Sequence, residues 1–219
     1  AASALHVTYR TMFGAVCEQT LLLRDVEKGQ RRWSHRLVFG SPAKGTPLGF
    51  SPKEIRHILF RGAEKWPLSE PFVSGVKTVR ARERRIPRGA LVHAWYDGQR
   101  FWHLEPVEPV AREVAGDPCV IHNVETTRYH FAYRDTQGHI RESTFSSDKR
   151  PQGGAWQVVD LMASTAAPPA SGDPAGLVSA ASGARYYVYR GRDGHLHELG
   201  FDGAWSHRDL TRLAQPSGN

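Results

Sequence analysis

The sequence predicts an all-β chain: a β-propeller of about five blades, each of about four antiparallel strands. Three observations carry this reading. A short aromatic strand signature followed by a glutamate recurs five times along the 219 residues. Aromatic side chains, which suit a pleated half-buried surface, are plentiful at six Trp, seven Tyr and nine Phe. Twenty-one Gly and fourteen Pro supply the turns that many short strands require.

The copies are His6-Val7-Thr8-Tyr9-Arg10 with Glu18, His57-Ile58-Leu59-Phe60-Arg61 with Glu70, and His93-Ala94-Trp95-Tyr96-Asp97 with Glu105. His130-Phe131-Ala132-Tyr133-Arg134 with Glu142 and Tyr186-Tyr187-Val188-Tyr189-Arg190 with Glu198 complete the set. Their starts lie 51, 36, 37 and 56 residues apart, a mean of 45. A period of that size marks units that bury their apolar faces only by stacking on neighbours. The expected organisation is a single domain over residues 1–219, with repeat units starting near residues 5, 56, 92, 129 and 185.

The last copy shows the unit most plainly. Tyr186 to Arg190 alternates with strand period, Gly191-Arg192-Asp193-Gly194 makes a hairpin turn, and His195 to Leu199 alternates again. Asp202-Gly203 turns the chain, and Trp205 opens a further strand running through Asp209-Leu210. The fourth copy repeats this order, from Tyr129 to Arg134, through Asp135 to Gly138, His139 to Glu142, and a longer loop to Trp156 and Val158-Val159-Asp160-Leu161. Residues 165–176 read alone as a Pro/Ala/Ser linker. Gly116-Asp117-Pro118 and Gly45-Thr46-Pro47-Leu48-Gly49 hold the equivalent place before copies four and two, so all three are expected to be crossings that lead into one more short strand. Copies two and three are degenerate: Pro67 and Pro71 interrupt the region around Glu70.

Composition narrows the function. Hydrophobic residues at 40% and charged residues at 23% describe an ordinary globular chain. No run reaches the roughly 18–20 apolar residues of a membrane span. The opening Ala1-Ala2-Ser3-Ala4 has neither the charged nor the apolar region of a secretory signal, and secreted and cytoplasmic settings both stay open. Cys17 and Cys119 have no metal-type spacing and are expected as small buried hydrophobes, with one bridge between them an alternative. The net charge of +7 is concentrated in Lys77, Arg80, Arg82, Arg84, Arg85 and Arg88, opposed by Glu83. Such a patch is either a solvated crossing loop or a surface for anionic ligands.

The order of aromatic strand, Asp-Gly or Gln-Gly turn, glutamate strand and Gly-x-Trp resembles the repeat of bacterial and fungal lectin propellers. The fucose-specific lectins are the nearest comparison and the tachylectin and tectonin types are more distant. In that family sugar binds between adjacent blades, where an arginine and a glutamate grip hydroxyls and a tryptophan stacks on the ring. The resemblance carries the glutamate to Glu18, Glu105, Glu142 and Glu198, and the tryptophan to Trp33, Trp156 and Trp205. The family's arginine lies two residues before the strand aromatic, where this chain has Val7, Ile58, Ala94, Phe131 and Tyr187, so fucose itself is not expected. An arginine instead follows the aromatic as Arg10, Arg61, Arg134 and Arg190. The expected sites are Glu142 with Trp156 and Glu198 with Trp205, aided by Arg134 and Arg190; Glu18 with Trp33 and Arg10, and Glu105, are further candidates.

Against this stands a structural role, in which the repeated glutamates are ion-pair members and His6, His57, His93 and His130 are core residues. Those histidines are expected on different blades, too far apart to share a metal, and no metal or cofactor is expected. The resulting expectation is a non-catalytic lectin-like propeller that binds glycans or glycoconjugates at blade junctions. A protein-interaction scaffold with no sugar site is the alternative. A glycosidase is less favoured, because the glutamates recur with the repeat and do not form one distinctive pair. Nucleic acid is disfavoured, since no recognition helix accompanies the basic segment.

Overall fold

The computed structural model describes residues 4–12, 15–28, 33–39, 43–50, 57–62, 89–96, 102–107, 114–123, 128–146, 156–179 and 181–215. Backbone contacts divide the chain into two compact units, Ala1–Pro106 and Val107–Asn219. Glu70, the prolines around it and the whole basic segment with Arg80, Arg82, Arg84, Arg85 and Arg88 lie outside the described residues.

The chain is all-β, with four antiparallel sheets among the described residues. In the first unit, β1 (Ala4–Arg10), β2 (Val16–Leu22) and β3 (Trp33–Phe39) form one sheet in that order, with α1 (Leu23–Glu27) between β2 and β3. A second sheet runs β4 (Ala43–Phe50), β5 (His57–Gly62), β6 (Leu91–Tyr96) and β7 (Trp102–Pro106).

The five strand signatures therefore do not make five sheets. The aromatic strands of copies two and three, β5 and β6, are neighbours in one sheet, with His57 opposite Trp95 and Leu59 opposite His93. Copy three supplies the place that a glutamate strand fills elsewhere. Spacing alone counted the two signatures as two units because both carry the same His-apolar-aromatic pattern.

In the second unit, β8 (Cys119–Asn123), β9 (Arg128–Arg134), β10 (Ile140–Ser146) and β11 (Gln157–Asp160) make one sheet. The strands β12 (Ala175–Val178), β13 (Arg185–Arg190), β14 (Leu196–Phe201) and β15 (Trp205–Asp209) make the other. Both follow the predicted order of crossing strand, aromatic strand, glutamate strand and tryptophan strand. The Pro/Ala/Ser stretch is ordered as expected of a crossing: Ala170 bridges to Gly191, and the Tyr189 hydroxyl donates to the Pro168 carbonyl at 2.9 Å.

Three short helices were not foreseen, α1 and one after the last strand of each sheet of the second unit. The strand β11 stops at Asp160 and β15 at Asp209, and each aspartate caps a five-residue helix, α2 (Leu161–Thr165) and α3 (Leu210–Ala214). The Asp160 carboxylate accepts from the Met162 and Ala163 amides at 3.1 and 3.2 Å, and Asp209 accepts from Arg212 at 2.9 Å. An aspartate in extended conformation that satisfies the first free amides is a strong helix start, so Leu161 and Leu210 leave the sheet.

The core of the second unit holds Ile121, Ala132, Ile140, Leu161, Met162, Ala167, Ala170, Tyr187, Tyr189 and Leu199. The two sheets approach closely at Gly176, where an added Cβ would lie 2.8 Å from Ile121 Cγ1. Both cysteines are free thiols; Cys17 is buried and Cys119 partly so, and burial pushes the Cys119 thiol up to about 12.

Candidate functional site

The recurring histidine and glutamate meet across strands. His6 Nδ1 lies 3.3 Å from Glu18, His93 Nδ1 lies 3.1 Å from Glu105, and His130 Nδ1 lies 3.4 Å from Glu142. In the first and third of these pairs the residues are diagonal neighbours on one hairpin face, because Glu18 sits opposite Thr8 and Glu142 opposite Ala132. His93 and Glu105 are directly opposite. The constant spacing thus records a cross-strand pair.

Two of the histidines break the expected separation. His57 Nδ1 lies 2.8 Å from His93 Nε2, the rings stack at 5.0 Å, and Phe50 stacks on His57 at 4.9 Å. They share a sheet because copies two and three do. Burial, reinforced by the neighbouring His93, drives the His57 pKa down to about 3, and burial also lowers that of His93.

The junction of the two sheets in the second unit holds a pocket of about 430 Å³, within the range of small-ligand sites. Its floor is an ion pair between sheets. Arg185 of β13 donates through Nε to Glu142 Oε2 at 2.8 Å and through Nη2 to Oε1 at 3.0 Å. The Tyr187 hydroxyl donates to Oε2 at 2.7 Å, and His130 approaches Oε1. A carboxylate offers about four lone-pair sites, and these contacts fill them.

Glu142 is only 2% exposed. Burial would raise its pKa, but the hydrogen bonds and charges of His130 and Arg185 outweigh that, and the carboxyl stays ionised below the usual range. The Tyr187 hydroxyl is driven well above its ordinary pKa by burial and by the Glu142 charge.

Arg185 Cζ also lies over aromatic rings, 3.9 Å from the Phe201 centroid and 5.0 Å from that of Trp205, while Tyr187 stacks near Trp205 at 6.0 Å. The pocket is completed by Arg128, Thr144, Gln157, Val159, Ser182 and Asp202.

The structure regroups the sequence-derived residues. Glu142 shares its pocket with Trp205 of the following sheet, whereas Trp156 packs against Phe131 and Phe145 at 5.7 and 5.2 Å. Arg134 binds Asp173 at 3.1 Å, away from Glu142. Glu198 is 18% exposed and lies 3.8 Å from Arg208, its cross-strand partner, and it does not line the pocket that holds Trp205. Arg190 is exposed and uses its carbonyl to hold the Ser171 and Gly172 amides. Arg10 donates to the Gly45 carbonyl at 3.0 Å, and Trp33 is 44% exposed.

The residue missed was Arg185. Anchoring the repeat on Tyr189 placed Tyr187 where an arginine was sought. Arg185 stands two positions earlier on the same face of β13, and alternation from Tyr187 would have found it. A second group, Asp193, His197 and Asp209, has ligand atoms within 4.8 Å of one another.

No protein-family model and no curated protein matches the chain. Among solved structures, the α-L-arabinofuranosidase PaAbf62A from Podospora anserina, in complex with cellotriose, has a similar backbone at a TM-score of 0.50. The match has 13% identity and covers 99% of this chain and 69% of that one. The expectation of a non-catalytic protein is corrected by this finding: a glycoside hydrolase is built on a similar arrangement, so the architecture does not exclude catalysis.

Proposed function

We propose that the chain is a propeller-type repeat protein that binds carbohydrate in the pocket between the β8–β11 and β12–β15 sheets. The observation that carries this is the Arg185–Glu142 ion pair beside Trp205, at the junction of consecutive repeats. Arginine, glutamate and tryptophan at that junction are the set by which lectin propellers hold a sugar. The arginine comes from Arg185, in place of the residues that follow the strand aromatics.

The division of labour differs from the simple expectation. Glu142, filled by its four contacts, positions the guanidinium. The Arg185 N–H groups not used by Glu142 are donors to ring or hydroxyl oxygens, Gln157, Ser182 and Asp202 supply further polar groups, and the Trp205 rim offers an apolar edge to C–H groups. A site of this kind is weak alone, and repetition adds avidity only where other junctions keep the set.

Hydrolysis is the second reading, favoured by the arabinofuranosidase neighbour and by the presence of two carboxylates, Glu142 and Asp202, around the pocket. Glycoside hydrolysis needs two such groups.

A broad glycan array probed at two salt concentrations, followed by product analysis on each glycan bound, tests both readings. Salt-resistant binding to a related set of sugars supports the proposal, and released reducing ends add hydrolysis. A blank array, or binding to anionic glycans alone that high salt abolishes, defeats it.

A further inference from the structure

The turn between β13 and β14 holds a second constellation that the pocket does not use. His197 Nε2 lies 3.1 Å from both carboxylate oxygens of Asp193, and Asp209 faces the same space. His195 Nδ1 lies 2.8 Å from Asp209 Oδ2, and His207 Nε2 lies 3.0 Å from His197 Nδ1.

The preceding sheet shows what the repeat puts at this position. Arg141 opposes Asp160 in register as His197 opposes Asp209. Its guanidinium bridges two carboxylates, Asp135 Oδ2 at 2.9 Å and Asp160 Oδ2 at 3.0 Å, and His139 holds Asp160 at 2.8 Å as His195 holds Asp209. Both sheets therefore set two carboxylates around one locus of positive charge. In the last sheet the permanent cation is replaced by an imidazole. The first carboxylate moves two places along the turn, from the position of Asp135, now Gly191, to Asp193. A Cβ at Gly191 would collide with Asp193 Oδ1 and lie 2.7 Å from His197 Nε2, so the glycine keeps this space open.

We propose that Asp193, His197 and Asp209 bind a divalent transition-metal ion of the zinc class, which supplies the charge that Arg141 supplies in the neighbouring sheet. His197 ligates through Nε2. Its Nδ1–H then donates to His207 Nε2, and His195 Nδ1–H donates to Asp209, so each ligand is oriented by a neighbour. Ligand atoms around a tetrahedral zinc lie about 3.3 Å apart; the His197–Asp193 spacing of 3.1 Å matches this, and the Asp209 carboxylate lies within 4.8 Å of both. One imidazole with two carboxylates suits zinc or manganese better than calcium, and a half-exposed Asp193 leaves room for water as a fourth ligand.

The test is calorimetric titration of the metal-stripped full chain with Zn²⁺ at about pH 7.5, where a ligating histidine must be neutral, with Co²⁺ absorption reporting the geometry. Wild type is expected to bind one ion and to give visible cobalt bands. His197→Arg, which installs the neighbouring sheet's arginine between the same carboxylates, should abolish both while the melting temperature is kept. Asp193→Asn retains the oxygen that accepts from the His195 amide and should weaken binding by about tenfold or more. No binding by wild type would overturn the proposal, and so would equal binding by both variants, which would place the ion elsewhere among the histidines.

Discussion

Arg185 reaches from one sheet to the next and closes both carboxylate oxygens of Glu142 in a fork, at 2.8 and 3.0 Å. Its own side chain is 13% exposed and Glu142 is fully enclosed, so the pair works in a medium where loss of one partner strands a charge.

That relation sets two glutamates of the same repeat position apart. Glu142→Ala should lower unfolding stability by about 3–5 kcal/mol, because Arg185 is left without its counter-charge. Glu198→Gln should change it by less than about 1 kcal/mol, since its 3.8 Å partner Arg208 is largely in water. Urea unfolding of both variants checks the contrast. The folded pKa of Glu142 is depressed, so its contribution is complete above the unfolded value and is lost as pH falls through the folded one. Glu142→Gln should remove that acid-side loss.

The buried His57–His93 stack predicts a different pH effect. The folded His57 pKa, about 3, is below the unfolded value of about 6.5, so the unfolded chain takes up a proton first as pH drops. Stability should fall by about 1.4 kcal/mol per pH unit from this histidine between those values. His57→Phe should flatten the slope measured from pH 7 to 4; an unchanged slope would mean that the ring titrates normally.

Close sheet approach at Gly176 gives a steric prediction. Gly176→Ala forces a Cβ against Ile121 at 2.8 Å and Tyr187 at 3.2 Å, and should cost about 1–3 kcal/mol. Gly194→Ala, where the added atom meets nothing within 4 Å but φ is +86°, should cost only about 1 kcal/mol of backbone strain. Thermal unfolding of both separates crowding from conformation.

The two aspartate caps should act alike. Asp160→Ala and Asp209→Ala each remove acceptors for the first helix amides and a histidine partner, and each should cost about 1–2 kcal/mol. Asp160→Ala should cost more, because it also removes one of the two carboxylates that hold Arg141 inside the sheet.

Strand order was legible in copies four and five because alternation, Asp-Gly or Gln-Gly turns and the tryptophan strand all agreed there. It failed where sequence similarity and pairing diverge: His57 and His93 head similar signatures, yet hydrogen bonding joins them in one sheet. The helices α2 and α3 were hidden because a single aspartate ends each strand, and a five-residue helix leaves no periodic trace. Glu142 was visible from its repeat. Its true companions, Arg185 and Trp205, come from the next sheet, and register along one strand does not reveal which residues face each other between sheets. The likeness to an arabinofuranosidase withdraws the expectation of a non-catalytic chain, which rested on the recurrence of the glutamates alone.

In the proposed site, sugar enters the pocket walled by Arg185 and Trp205. The most direct test is titration of the best array glycan into wild type and Trp205→Ala, with circular dichroism confirming that both fold. Binding lost or weakened by about tenfold in folded Trp205→Ala is predicted, since indole edges contribute strongly to such sites. Equal affinity in the two proteins would place the sugar elsewhere and rule out this pocket as its site.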